Sequence, residues 1–146
     1  MKQLLLPEED YNKIIAHCKQ ARPLEACGIM GGTKQKETGI VKKVFLMENA
    51  RPSSEEYFMD YEEQFAVFKQ LRQNNLKLLS IFHSHPHSEA RPSQKDIDMA
   101  NYEQAVYAII SLAGNSPDLK TYIIRNGSYR AINWDFIENN KIDGEC

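Results

Sequence analysis

The sequence predicts an α/β chain of the α+β kind, with one mixed sheet flanked by helices. Stretches with helix-period apolar spacing interleave with strand-like apolar runs along the whole chain. Two of those runs, 76–82 and 106–112, are apolar at nearly every position, as in strands covered on both faces. Asn126-Gly127 between two alternating stretches marks a two-residue hairpin turn.

Residues 2–6 read as a short strand, and Pro7 opens a helix whose apolar residues Tyr11, Ile14, Ile15 and Cys18 follow i, i+3, i+4, i+7 spacing. Residues 26–30, closed by Gly31-Gly32, and 39–47, rich in Val, Ile and Phe, form two strands joined by a polar turn. After a polar connection over 51–56, Tyr57-Phe58-Met59 is expected as a brief strand. Asp60, with Glu63 three residues later, starts a second helix whose buried stripe is expected to be Tyr61, Phe65, Phe68 and Leu71. The 76–82 strand belongs at the centre of the sheet. A third helix is expected over 93–104, then strands over 106–112, 119–124 and 129–134, and a polar tail over 138–146 that should fray.

At 146 residues the chain has the size of one ordinary domain, expected over 1–137. Apolar residues make up 42% and charged residues 26%, a soluble globular balance. The 18 Lys and Arg against 20 Asp and Glu, with no basic run, argue against nucleic acid as a partner. No segment approaches the roughly 18 apolar residues of a membrane helix, and Leu4-Leu5-Leu6 ahead of Glu8, Glu9 and Asp10 is not a signal-peptide core. Cys18, Cys27 and Cys146 are odd in number, widely spaced and never in a Cys-x-x-Cys pair, so neither a disulfide framework nor a thiolate metal site is expected. A reducing cytoplasm is the expected setting. The oligomeric state, monomer or homodimer, stays open.

The central run ends Ile81-Phe82-His83-Ser84-His85-Pro86. Side chains alternate along an extended backbone, so His83 and His85 point to one side and their imidazoles can converge on one metal ion. Asp96 follows at the start of the third helix, where it can turn back toward the strand end. Two histidines and one carboxylate give zinc three protein ligands and leave a fourth position for water, the pattern of a catalytic site. Such a site supplies a nucleophile and a Lewis acid but still needs a proton acceptor. Glu25, in Arg22-Pro23-Leu24-Glu25-Ala26-Cys27-Gly28, leads into a buried strand, an odd place for a carboxylate without a task, and is the candidate base.

Glutamate, a long gap, His-Ser-His-Pro, then Ser-x-x-Asp with ten residues between the second histidine and the aspartate resembles the signature of the JAMM (MPN-plus) metalloprotease family. The resemblance covers nearly the whole chain. It implies a layered sheet flanked by helices, broadly related to that of the cytidine deaminases, and one zinc ion held by His83, His85 and Asp96. It implies Glu25 as base and Ser93 as a hydroxyl donor to the developing oxyanion. It further implies hydrolysis of a peptide or isopeptide bond after the Gly-Gly C-terminus of a ubiquitin-like or sulfur-carrier protein. The chain resembles the minimal form of the family, with little room for the insertions that select polyubiquitin linkages, which favours a small carrier.

Plainer readings exist for each residue alone. Two histidines can simply end a strand, and Ser93 with Asp96 can be no more than a helix capping box. Glu48, Glu55, Glu56, Glu62 and Glu63 also precede the histidines, in loops or on a polar helix turn. His87 is expected to be exposed, close enough to touch substrate, and His17 to be surface. Cys27 is expected to be a small buried residue. The rival functional reading is a non-catalytic MPN interaction module. Zinc deaminase chemistry is disfavoured because no Pro-Cys-x-x-Cys pair exists.

Overall fold

The computed structural model describes residues 1–137; the tail expected over 138–146 lies outside the described residues. The chain runs β1 (Gln3–Leu6), α1 (Glu8–Ala21), β2 (Cys27–Gln35), β3 (Thr38–Met47), α2 (Tyr61–Gln73), β4 (Lys77–His85), α3 (Gln94–Asp98), β5 (Val106–Ser111), β6 (Asp118–Arg125) and β7 (Ser128–Phe136). Strands pair in the order β1-β3-β2-β4-β5-β6-β7, and β1 also pairs in parallel with β7, so the mixed sheet closes on itself as a barrel. That closure is not visible in the local pattern of a four-residue strand.

β4 is central as expected, antiparallel to β2 on one side and parallel to β5 on the other. Two apolar clusters line the two faces of the sheet. One gathers Ile14, Ile15 and Cys18 of α1 with Met30 and Phe82, and the other gathers Val67 and Leu71 of α2 with Ile29, Ile81 and Ile109. The β4 residues from Lys77 onward become fully buried by Leu79, which is why the strand reads as an unbroken apolar run.

α1 buries Ile14, Ile15 and Cys18 as its spacing predicts, with Glu8, Glu9 and Asp10 in its first turn and Lys19 in its last, matching the helix dipole. The β6–β7 turn places Asn126 at φ 55° and Gly127 at φ 75°, both in the left-handed region that this two-residue turn demands. β2 runs past Gly31-Gly32, which form a register shift rather than a strand end.

Four further expectations need correction. α3 is only Gln94–Asp98, because Met99 already caps it and the backbone leaves helical geometry there. In α2 Leu71 is buried and Phe68 half-buried as expected, but Tyr61 and Phe65 are 74% and 64% exposed, and Val67 with half-buried Gln64 completes the inward face instead. Tyr57-Phe58-Met59 is not a strand. Phe58 spends its N–H on the side chain of Asn49 and its carbonyl on the N–H of Ala50, so neither group is left for a ladder. His17 is not a surface residue: half-buried, its Nε2 sits 3.1 Å from the Cys27 carbonyl and 3.0 Å from the Met47 carbonyl, bridging paired positions of β2 and β3.

Gly28 lies between Leu46 of β3 and Phe82 of β4, and a Cβ there would stand 2.3 Å from the Phe82 ring and 2.4 Å from the Phe45 carbonyl. Gly28→Ala is therefore expected to cost about 2–3 kcal/mol, read as a lowered urea midpoint at unchanged slope.

Candidate metal centre

β4 delivers the two histidines. From Ile81 onward its side chains alternate, so Ile81, His83 and His85 share one face while Phe82 and Ser84 share the other. His83 and His85 are 1% and 3% exposed, and their Nε2 atoms lie 3.2 Å apart. Pro86 follows and the strand ends at His85.

α3 delivers the carboxylate. Ser93 is its N-cap and accepts from the Asp96 N–H, while Asp96 Oδ2 accepts from the Ser93 N–H at 2.9 Å, a complete capping box. The same side chain turns inward: Oδ1 is 3.1 Å from His83 Nε2 and Oδ2 is 3.0 Å from His85 Nε2. Asp96 is buried, which opposes its charge, yet His83, His85 and the Ser93 N–H together hold its pKa well below the usual carboxylate range. For His85 burial works against the imidazolium, but the bonds to Asp96 and to the Glu89 carbonyl outweigh it and raise the pKa.

His83, His85 and Asp96 form a buried group whose ligand atoms all lie within 4.8 Å of one another. Zinc bonds of about 2.0–2.1 Å in tetrahedral array put neighbouring ligand atoms roughly 3.3 Å apart, close to the 3.0–3.2 Å separations here. His85 Nδ1 faces the Glu89 carbonyl at 2.7 Å. That carbonyl only accepts, so the neutral ring carries its proton on Nδ1 and turns the Nε2 lone pair toward the cluster, the outer contact typical of ligating histidines. The residues present fit a divalent metal.

Glu25 sits just before β2, 3% exposed, and its Oε1 has no hydrogen-bond partner among the described residues. Burial pushes its pKa up to about 8. Its backbone is tied down twice, the N–H to the Ser53 carbonyl at 2.8 Å and the carbonyl to the Asn49 amide at 3.0 Å. The next residue, Ala26, donates its N–H to Ser84 Oγ at 2.8 Å and accepts from the Ser84 N–H at 3.0 Å. Ser84, on the opposite face of β4 from the histidines, thus registers the Glu25 segment against the strand that carries them. Glu25, His85, His87 and Ser93 line one cavity of about 380 Å³. The structure brings the five site residues of the sequence together and leaves His87 exposed, as expected. Glu55 lines the rim of this cavity. Cys27 is fully buried and burial pushes its thiol up to about 12.

Three residues escaped the sequence reading: Asn49, Ser84 and Tyr57, whose ring stacks on His83 at 4.6 Å between centroids and 24° between planes. Ser84 was signalled by its place between the two histidines. Nothing local distinguishes Asn49 or Tyr57 in a polar connection.

A buried cluster of two histidines and one aspartate beside a buried glutamate whose Oε1 has no partner among the described residues, on a mixed α/β fold, defines a candidate mononuclear metal centre of the hydrolase type. The chain belongs to the Prok-JAB family, prokaryotic homologs of the JAB domain, which matches residues 7–124. It is 29% identical over 126 residues to the CysO-cysteine peptidase of Mycobacterium tuberculosis, covering 86% of this chain and 85% of that protein. It is 28% identical over 139 residues to the desampylase of Pyrococcus furiosus, covering 95% and 85% respectively. A probable TtuB-protein conjugate cleaving protease of Thermus thermophilus is 30% identical, covering 76% of this chain and 72% of that one. The solution structure of a Desulfitobacterium hafniense protein matches with a TM-score of 0.83 and 34% identity over 93% of this chain and 92% of that one. The JAMM resemblance and the mixed α/β fold are both borne out. No helix among the described residues is long and apolar enough to cross a membrane.

The Glu25 carboxyl gives a signed pH effect in metal-free protein. The unfolded chain releases this proton near the ordinary glutamate value of 4.5, whereas the folded chain keeps it until about 8, so stability falls as pH rises through that window. Glu25→Gln removes the fall. The metal-free variant should exceed the parent by roughly 4–5 kcal/mol above about pH 8 and match it near about pH 4, as measured by urea unfolding.

Proposed function

We propose that this chain is a zinc-dependent amidohydrolase that cuts the peptide or isopeptide bond after the Gly-Gly C-terminus of a ubiquitin-like or sulfur-carrier protein. The observation that carries it is the convergence of three buried ligand atoms next to a buried carboxylate with a free oxygen. His83, His85 and Asp96 would hold the ion, which supplies Lewis acidity and an acidified water when bound.

The chain's own residues divide the remaining work. Glu25 Oε1, unpaired and desolvated, takes a proton from water in the cavity and returns it to the leaving nitrogen. A base near neutral pKa suits both transfers, since it neither holds the proton too tightly nor refuses it. Ser93 Oγ already accepts from the Asp96 N–H, which fixes its position and leaves its own O–H to donate to the scissile carbonyl oxygen as charge develops there. His85 lines the cavity while His83 and Asp96 are buried, so the exposed His87, Ser88, Gln94 and Lys95 meet the substrate first.

The substrate assignment draws on the relatives. Their names describe a CysO-cysteine peptidase, a desampylase and a TtuB-conjugate protease, which supports a protein tail as the acyl side. A tail cannot add as a strand at Phe58, whose backbone N–H and carbonyl are already bonded.

One zinc per chain is expected by metal analysis, with hydrolysis abolished by chelator and restored by zinc. Glu25→Gln should retain the zinc and lose roughly 100-fold or more in kcat, and Ser93→Ala roughly 10- to 100-fold. Mass spectrometry of Gly-Gly-tailed carriers, free and conjugated, after incubation with the protein identifies bond and product. Cleavage that continues in zinc-free protein, or none on any such carrier, overturns the reading.

A further inference from the structure

The two ligating histidines are held differently. His85 has the usual outer hydrogen bond, Nδ1 to the Glu89 carbonyl at 2.7 Å. His83 Nδ1 is buried and has no hydrogen-bond partner among the described residues. His83 Nε2 is 3.1 Å from Asp96 Oδ1, but among the described residues no hydrogen bond on the far side of the ring fixes its plane. The His85 ring meets it edge-on at 5.0 Å between centroids, whereas the Tyr57 ring lies flat against it, 4.6 Å away and nearly parallel.

We infer that Tyr57 is a positioning residue for the metal centre, its ring face setting the plane of His83 in place of the missing hydrogen bond. The inference rests on the metal-site reading above. Tyr57 sits on the connection between β3 and α2 and is half-buried there. Asn49 fixes that connection with its whole side-chain amide. Its Nδ2 donates to the Glu25 carbonyl at 3.0 Å and the Glu56 carbonyl at 3.1 Å, and its Oδ1 accepts from the Phe58 N–H at 2.9 Å and the Arg51 N–H at 3.0 Å. The bonds to Glu56 and Phe58 grip the backbone on both sides of Tyr57, and the bond to Glu25 ties the same loop to the base. The plane of one ligand and the place of the base are therefore set by a single loop anchored on a single amide.

Tyr57→Phe keeps the ring and removes the hydroxyl, while Tyr57→Leu keeps apolar bulk and removes the flat face. Zinc affinity, measured against a competing chelator, should stay within about twofold of wild type for Tyr57→Phe and fall about 10- to 100-fold for Tyr57→Leu. In metal-free protein the imidazole nitrogen signals of His83 should broaden in Tyr57→Leu while those of His85 stay sharp, because Glu89 still holds it. A Tyr57→Leu chain that does not fold is replaced by Tyr57→Met and read in the same way. Unchanged affinity with sharp His83 signals overturns the inference, as does equal impairment of Tyr57→Phe, or equal broadening of both rings. The nuclear magnetic resonance arm uses neither metal nor substrate, so a wild-type protein that binds no zinc or cleaves no carrier refutes the proposed function and leaves this inference to be decided on its own.

Discussion

Packing a carboxylate and two imidazoles within about 3 Å of one another, out of water, costs free energy unless each lone pair and proton has a partner. Much of the neighbouring structure answers that requirement. The capping box supplies a backbone N–H to Asp96, the Glu89 carbonyl supplies an acceptor to His85, and Tyr57 covers His83. What these contacts leave is three donor atoms facing one point. Separations of 3.0–3.2 Å among the two Nε2 atoms and the Asp96 oxygens suit ligands arranged around one cation.

The fold serves this by bringing together segments far apart in the chain. β4 crosses the sheet centre and ends beneath the cavity, α3 turns one carboxylate back toward it, and the segment before β2 brings Glu25 alongside. Ser84 does the registering. Its side chain and backbone both bond to Ala26, across a separation of 58 positions in sequence. Close approach of the three strands at this point requires Gly28, whose missing Cβ leaves space for the Phe82 ring.

Much of this was legible in the sequence because it is written in short-range pattern. The alternation that puts His83 and His85 on one face, the capping signal at Ser93 and Asp96, the apolar run of β4 and the Asn126-Gly127 turn are local features, and the structure realises each. The failures have non-local causes. β1 has too few residues to announce that it joins both β3 and β7. His17 falls outside the apolar stripe of α1, and only tertiary packing brings it to the Cys27 and Met47 carbonyls. Aromatic character points the α2 stripe toward Tyr61 and Phe65, whereas the sheet accepts Val67 beside the expected Leu71. Asn49 and Tyr57 act through contacts that no period encodes.

Asp96 is at once the third residue of a five-residue helix, half of its cap, and a member of the cluster. A helix so short has almost no stability of its own, because nucleation is costly and few bonds repay it. Opening of α3 and loss of the cluster are then one event, and the amide protons of Ser93 and Asp96, both inside the capping box, exchange with solvent only when that event occurs. Their exchange rates make the backbone itself a gauge of how often the centre comes apart.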